Sequence, residues 1–355
     1  MVPVLLKPIQ KTFWVKALFW RVVNAFIFVG KLSSNILKVS VIIPVYNASA
    51  YIAEALQSAL IQNEVVECIV VDDGCTDSSL HIIEEFAARD SRIQILHHPN
   101  RANLGPGATR NLGLKAATQE YIAFLDADDY WVENRFAETQ KLFEIHPDAE
   151  GVYEARATEN WNGDVESQDL SMIRTQPLPD QVFYSFSPYG NDGFFSLIGL
   201  TVKRKVVDKI GYFSNSLWLT QDTEWSSKLC LTCRLYGGIV NKPVAIRRFH
   251  RNNSSTNIEL LKISRIQMCM SLLKWCNDKK MKDSVKEIIS KILLKYHYEW
   301  NNLSDKGLLA KKRADISFLI KLWRTDKSLF KFPRVKYFRN LVFHLPVNQS
   351  FDFYE

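Results

Sequence analysis

A chain of 355 residues, 47% hydrophobic and 23% charged, with only 14 Gly and 12 Pro, has the balance of a folded globular protein of about two domains. That composition excludes a disordered, collagen-like or linker-rich chain. The net charge of +7 hides a segregation: six Lys/Arg and no Asp/Glu in residues 1–38, 19 against 29 in 39–259, and 20 against 9 in 260–355.

The first element is aromatic. From Thr12 to Gly30, Phe13, Trp14, Leu18, Phe19, Trp20, Phe26, Ile27 and Phe28 are interrupted by Lys16, Arg21 and Asn24. Two charges break the roughly 18–20 apolar residues that a membrane span needs. The polar positions share one half of a helical wheel, which suits an in-plane membrane helix and equally a helix packed on the protein's own body. No cleavage site marks a signal peptide. Residues 1–38 are therefore read as a basic aromatic N-terminal helix.

Strands then alternate with helices. Val39–Val45 is a β-branched run, and Tyr51 to Ile61 has helical apolar spacing. Cys68–Val71 runs into Asp72 and Asp73; a helix spans about Asp77 to Ala88, and Ile93–Leu96 is a short strand. A helix from Pro106 to about Ala117 precedes Tyr121–Leu125, which delivers Asp126, Asp128 and Asp129. This order predicts an α/β fold whose sheet is mainly parallel with helices on both faces. Ligands sit beyond the carboxyl ends of such strands, and both acidic clusters lie there. Five carboxylates at one edge repel one another unless a cation or donor groups compensate. Carboxylate oxygens suit Mg2+ or Mn2+, which bridge nucleotide phosphates. Neither G-x-G-x-x-G nor a P-loop is present.

Four ordered motifs carry a family resemblance: Val39 to Asn47, Val71 to Asp77, Asn103-Leu-Gly105 to Arg110-Asn111, and Phe124 to Asp129. With them, Val39 to about Asn257 resembles glycosyltransferase family 2 and its GT-A fold. The resemblance implies that Pro44, Tyr46, Asn47 and Asp73 hold the nucleobase and ribose, with Asp72 supporting that turn. Asp126 and Asp128 are similar to the family's D-x-D, the first on the ribose side and the second a metal ligand. Arg110 matches the basic residue of A-R-N, with Thr109 in place of the usual small residue; a guanidinium fork suits a diphosphate or an acidic neighbour.

Further on, Gln221-Asp222-Thr-Glu224-Trp225 follows Gly211-Tyr-Phe213 and opens a helical stretch to about Leu235. It resembles the family's E-D motif, with Gln221 replacing Glu, and implies that Asp222 is the general base; the bland alternative is a helix-start residue. His250, after Arg247 and Arg248, matches a further metal ligand in some members and is otherwise structural. Arg247, Arg248 and Arg251 suit a departing diphosphate or an anionic acceptor. Cys230 and Cys233 form a C-x-x-C read as ordinary helix cysteines, and the six thiols fit a reducing cytoplasm.

From Asn257 onward the pattern is helical, with apolar stripes at Ile263, Ile266, Met270 and Leu273, and at Val285, Ile288, Ile289, Ile292 and Leu293. Lys331, Arg334, Lys336 and Arg339 among Phe330, Phe332, Tyr337 and Phe338 are read as headgroup contacts or as an ordinary basic surface. The chain thus divides into 1–38, a catalytic domain at 39–256 and a basic helical region at 257–355. The expected activity is inverting, Mn2+- or Mg2+-dependent transfer of one hexosyl or N-acetylhexosaminyl group from a nucleotide diphosphate sugar, UDP-linked, to a glycan or glycolipid hydroxyl. Its expected place is the cytoplasm or the inner membrane face. No nucleic-acid module is recognisable. A nucleotidyltransferase using the same metal and a non-catalytic binding or scaffolding protein are the competing readings.

Overall fold

Val39–Val45 forms β1, buried at nearly every position because it runs through the sheet centre. In this computed structural model, which describes residues 36–250, 253, 256–302 and 307–343, the chain continues as α1 (Ile52–Leu60), β2 (Val65–Asp72), α2 (Ser79–Ala87), β3 (Ile93–His97), α3 (Gly105–Ala116) and β4 (Tyr121–Phe124). Then follow β5 (Tyr130–Trp131), α4 (Ala137–Ile145), β6 (Gly151–Tyr153), β7 (Arg156–Glu159), β8 (Val165–Ser171) and α5 (Val182–Ser185). The catalytic half closes with β9 (Leu200–Lys203), α6 (Val206–Ile210), α7 (Gln221–Thr232), β10 (Leu235–Gly237) and β11 (Ala245–Arg248). Helices α8 (Ile258–Asp278), α9 (Asp283–Asn302), α10 (Leu308–Thr325) and α11 (Pro333–Val342) complete the described chain. The aromatic helix expected between Thr12 and Gly30, and Arg251, lie outside the described residues.

The main sheet has seven strands in the order β10-β6-β9-β4-β1-β2-β3. Pairs β1/β2, β1/β4, β2/β3 and β10/β6 are parallel, and β9 alone runs antiparallel, between β4 and β6. The register sets Ile42 beside Ile69 on one side and Phe124 on the other, so the three strands end together. Their carboxyl ends hold Asp72 and, just beyond, Asp126. A second sheet, β5-β11-β7-β8, has no forerunner in the sequence reading.

One apolar core runs from the sheet into the C-terminal helices, joining Ile42, Phe124, Trp225 and Leu229 to Met268, Leu272, Leu293, Leu322 and Phe338. Trp225 is fully buried, stacked on Phe213 at 4.7 Å and edge-on to Phe124 at 5.6 Å, with its Nε1 donating to Gly211 O at 3.0 Å. Burying such a ring stabilises by about 2–3 kcal/mol. α7 ends at Thr232, earlier than the spacing predicts, because Leu235 enters β10.

Cys230, Cys233, Cys269 and Cys276 are free thiols in this core; burial pushes Cys233 up to about 11 and Cys276 up to about 12. The buried residues of α8 are Ser264, Met268, Cys269, Met270, Leu272, Leu273 and Cys276, so Met270 and Leu273 of the expected stripe are buried whereas Ile263 is exposed. Phe332 and Phe338, expected at a membrane surface, are buried in the core instead. Their aromatic area is worth more against α9 and α10 than in water.

Candidate active site

A cleft of about 920 Å3 opens at the carboxyl ends of β1, β2 and β4. Pro44, Tyr46, Asn47, Asp73, Arg110, Asp126, Asp128, Asp222 and His250 all line it. Asp72 does not; it lies beneath, 1% exposed.

The floor is two loops tied together. Asn47, at φ 48°, accepts at Oδ1 from the N–H of Thr76 (2.8 Å) and of Asp77 (3.3 Å), so the loop after β1 is held by the loop after β2. Asn tolerates this left-handed backbone and supplies the acceptor. Asp72 accepts from Cys75 N (2.8 Å) and contacts His97 Nδ1 (3.0 Å). Burial pushes its carboxyl up, but the Cys75 N–H and His97 outweigh burial and hold it below the usual range. Asp73 accepts from the N–H groups of Leu104 (2.8 Å) and Gly105 (3.0 Å), the start of α3. A carboxylate there satisfies donors that the helix leaves free and opposes the positive dipole end.

Beyond β4, Asp126 accepts from Arg110 Nη2. Arg110 is 5% exposed, yet its Nε and Nη1 have no hydrogen-bond partner among the described residues. Burial lowers its pKa, but Asp126, Asp222 and Asp128 together raise it, so the guanidinium is firmly charged. Asp129 is buried and accepts from Arg248 N at 2.9 Å; burial, then Asp128 and Asp126, push its pKa well above the ordinary value. Each of the five aspartates thus has donors of its own. Crowding alone places no demand for a cation; that case rests on Asp128.

Asp128 Oδ2 lies 3.0 Å from His250 Nε2 and 3.3 Å from Asn253 Nδ2. Two ligands placed cis on an octahedral ion at about 2.1 Å sit about 3.0 Å apart, so this pair fits two adjacent positions around Mg2+ or Mn2+. His250 stacks on Tyr51 at 4.9 Å, which fixes its ring plane, and its Nδ1 has no hydrogen-bond partner among the described residues. No third His, Cys, Asp or Glu among the described residues completes a metal cluster. The remaining positions suit phosphate oxygens and water, as is usual for these ions at nucleotide sites.

Across the cleft, α7 presents Asp222 in its first turn, exposed and accepting from Thr223 N at 2.7 Å. The helix enters through Thr220, a β-branched residue at φ 62°, whose Oγ1 donates to Ser264 O of α8 at 3.1 Å. Trp218 covers the start of α3 so closely that a Cβ on Gly105, itself at φ 83°, would lie 2.9 Å from its ring.

Sequence reasoning missed several contributors. Arg248, grouped with residues facing a diphosphate, is instead committed to Glu54 and Glu159, with its guanidinium 4.5 Å over the Tyr130 ring. It straps the Asp128–Asp129 turn to the second sheet. Tyr51 and Asn253 also line the cleft. Strand alternation in β11, which separates Arg247 from Arg248, was the available signal for Arg248.

Residues 40–211 match the family described as Glycosyl transferase family 2. An uncharacterized glycosyltransferase of Haemophilus influenzae is 42% identical over 97 residues, 27% of this chain and 38% of that protein. Glycosyltransferase GlyA of Streptococcus pneumoniae is 30% identical over 203 residues, 56% of this chain and 24% of that protein. The chain therefore matches well under half the length of these curated relatives. In structure it is similar to S. aureus TarS 1-349 in complex with UDP-GlcNAc, with TM-score 0.64 and 20% identity over 85% of this chain and 87% of that one. It is also similar to mannosyltransferase PcManGT from Pyrobaculum calidifontis in complex with GDP-Man and Mn2+, with TM-score 0.50 and 17% identity over 93% and 91%. The ordered motifs line one cleft on a GT-A fold, and residues 40–211 of the chain are similar to glycosyltransferase family 2.

Proposed function

We propose that the chain transfers a single sugar from a nucleotide diphosphate sugar, UDP-linked, to an acceptor hydroxyl of a glycan or glycolipid, with inversion at the anomeric carbon. The observation that carries this reading is the convergence on one cleft of Arg110, Asp126, Asp128 and Asp222. TarS with UDP-GlcNAc and PcManGT with GDP-Man and Mn2+ support a nucleotide-sugar donor and a divalent cation.

The loops at Tyr46 and Asn47 and the turn at Asp73 receive the nucleoside. Asp126, oriented by Arg110, lies towards the ribose. Mn2+ or Mg2+, held by Asp128 and His250, neutralises charge on the diphosphate when bound. Arg110 lines the cleft and keeps a charged guanidinium there, which a developing anion on the leaving diphosphate would engage. Asp222 takes the acceptor proton on a carboxylate oxygen while that acceptor oxygen bonds the anomeric carbon and the carbon–diphosphate oxygen bond breaks opposite. One base with no second nucleophile corresponds to a single inverting displacement. The free, buried thiols support a reducing compartment, the cytoplasm.

The test is a panel of UDP-, GDP- and other nucleotide sugars with Mn2+, read by thermal shift and by slow donor hydrolysis. One donor should stabilise the protein, and more so with metal. Silence across the panel, or pyrophosphate release from nucleoside triphosphates, would overturn the reading.

A further inference from the structure

Helix α10 turns its apolar residues the wrong way for a helix that only packs on its own protein. Leu308 is 84% exposed, Leu309 77%, Ile320 49% and Trp323 50%. At about 100° per residue, Leu309, Ile320 and Trp323 fall with Lys312, Arg313 and Arg324 inside about 120° of arc, while Ile316 between them packs against the core. The opposite side is the packed one, where Phe318, Leu319 and Leu322 enter the core. Helix α10 has a single carboxylate, Asp315, which turns inward to His297 Nε2 at 2.8 Å and Asn301 Nδ2 at 2.7 Å. The outward face is therefore apolar and cationic with no acid. Just past the helix, Lys327 sets its Nζ 4.3 Å over the Trp323 ring, adding a further charge beside the aromatic.

We propose that this face of α10 docks the enzyme in the plane of a bilayer whose headgroups are anionic. Leu309, Ile320 and Trp323 enter the headgroup and acyl boundary, while Arg313, Arg324 and Lys327 meet the lipid charges. A solvated surface helix carries charges of both signs on its outward face and few large apolar side chains there; the outward face of this one carries only cations beside Leu309, Ile320 and Trp323. An acidic protein partner would match the charge, but a flat row of leucine, isoleucine and tryptophan rimmed by Lys and Arg is the pattern that lies in an interface. No described helix is long and apolar enough to cross a membrane, so this attachment is peripheral in kind. It sits on α10, not on the Phe332 and Phe338 positions that the sequence suggests, because those rings are spent on the core.

The experiment is flotation of the full chain with phosphatidylcholine vesicles, alone or mixed with phosphatidylglycerol, across a salt series. Binding is expected to the mixed vesicles only, weakening as salt rises. The exposed double variant Ile320→Ser with Trp323→Ser, and Arg313→Glu with Arg324→Glu, should each lower partitioning by about tenfold or more, with circular dichroism and Tm unchanged. Equal flotation of wild type and both variants would assign attachment to residues 1–35 and overturn the proposal. Conversion of a wild-type dimer to monomer by the serine variant would overturn it too, by assigning the face to a second copy. Soluble-donor hydrolysis, measured on the same variants without vesicles, should be unchanged, which separates this outcome from any failure of the proposed sugar transfer.

Discussion

Asp222 and Asp128 face each other across the cleft with different surroundings, and their substitutions should differ in kind. Asp222 is an exposed first-turn carboxylate that accepts from the backbone N–H and the hydroxyl of Thr223 next to it. Asp222→Asn keeps that acceptor, so donor affinity should change little while turnover falls by at least about a hundredfold. Asp128 is bound up with His250 and Asn253, so Asp128→Ala should weaken donor binding in Mn2+ and leave metal-free binding nearly unchanged. Isothermal titration with and without metal, alongside turnover, separates the two; loss of both functions in both variants would refute the division of roles. Asp77 offers a test of the floor. Burial pushes its carboxyl up, but Ser79 and Ser49 donate to it and hold it down at about 2. A folded-state pKa below the unfolded 3.8 stabilises the fold above about pH 4 and is lost as pH falls towards 2. The stability gap between wild type and Asp77→Ala should be constant above pH 4 and close between pH 4 and 2 in denaturant melts.

At the scale of elements, α3 lies on β1 with nothing to spare. A Cβ on Gly113 would come 2.5 Å from Ile42 Cγ2 on a buried strand. Alanine raises helix propensity by about 1 kcal/mol, but overpacking against a strand that cannot yield costs about 1–3 kcal/mol. Gly113→Ala should therefore lower stability, and Ile42→Ala combined with it should be less damaging than the sum of the two, as a double-mutant cycle would register. The strands β1 to β4 and helices α1 to α3 were legible because each shows a period over its length and because β1, β2 and β3 are neighbours in sequence and in space. The second sheet was not. β5 has two residues, and β11 pairs with β7 from Ala245 to Arg156, far apart in sequence. β9 was hidden likewise, since its antiparallel partners β4 and β6 both lie before the poorly patterned stretch that leads into it. Where strand ends deliver aspartates, the sequence order placed them on the cleft that Asp73, Asp126 and Asp128 line. It did not show the commitment of Arg248 to Glu54 and Glu159, because no local spacing encodes partners so distant in the chain.

At the scale of the whole molecule, a buried polar triad fastens the helix of the proposed base to the C-terminal helices. Glu224 is fully buried, paired with Lys228 Nζ at 2.7 Å and accepting from Ser271 Oγ of α8 at 2.9 Å. Lys228 also lies 5.9 Å over the Trp275 ring. Removing one partner strands a charge, so Lys228→Met should cost about 3–5 kcal/mol, whereas Lys228→Met with Glu224→Leu should recover most of it. Urea melts of both variants decide this; equal losses would mean that the pair is not coupled. The cleft's far wall has a broader consequence. The family match stops at residue 211, while Asp222, Leu261, Arg265, Met268 and Tyr296 all line the cleft from beyond it. Under the proposed reading the nucleotide is held within the matched residues and the acceptor meets α8 and α9, so substitutions on those helices would change what is decorated and leave the nucleotide contacts in place.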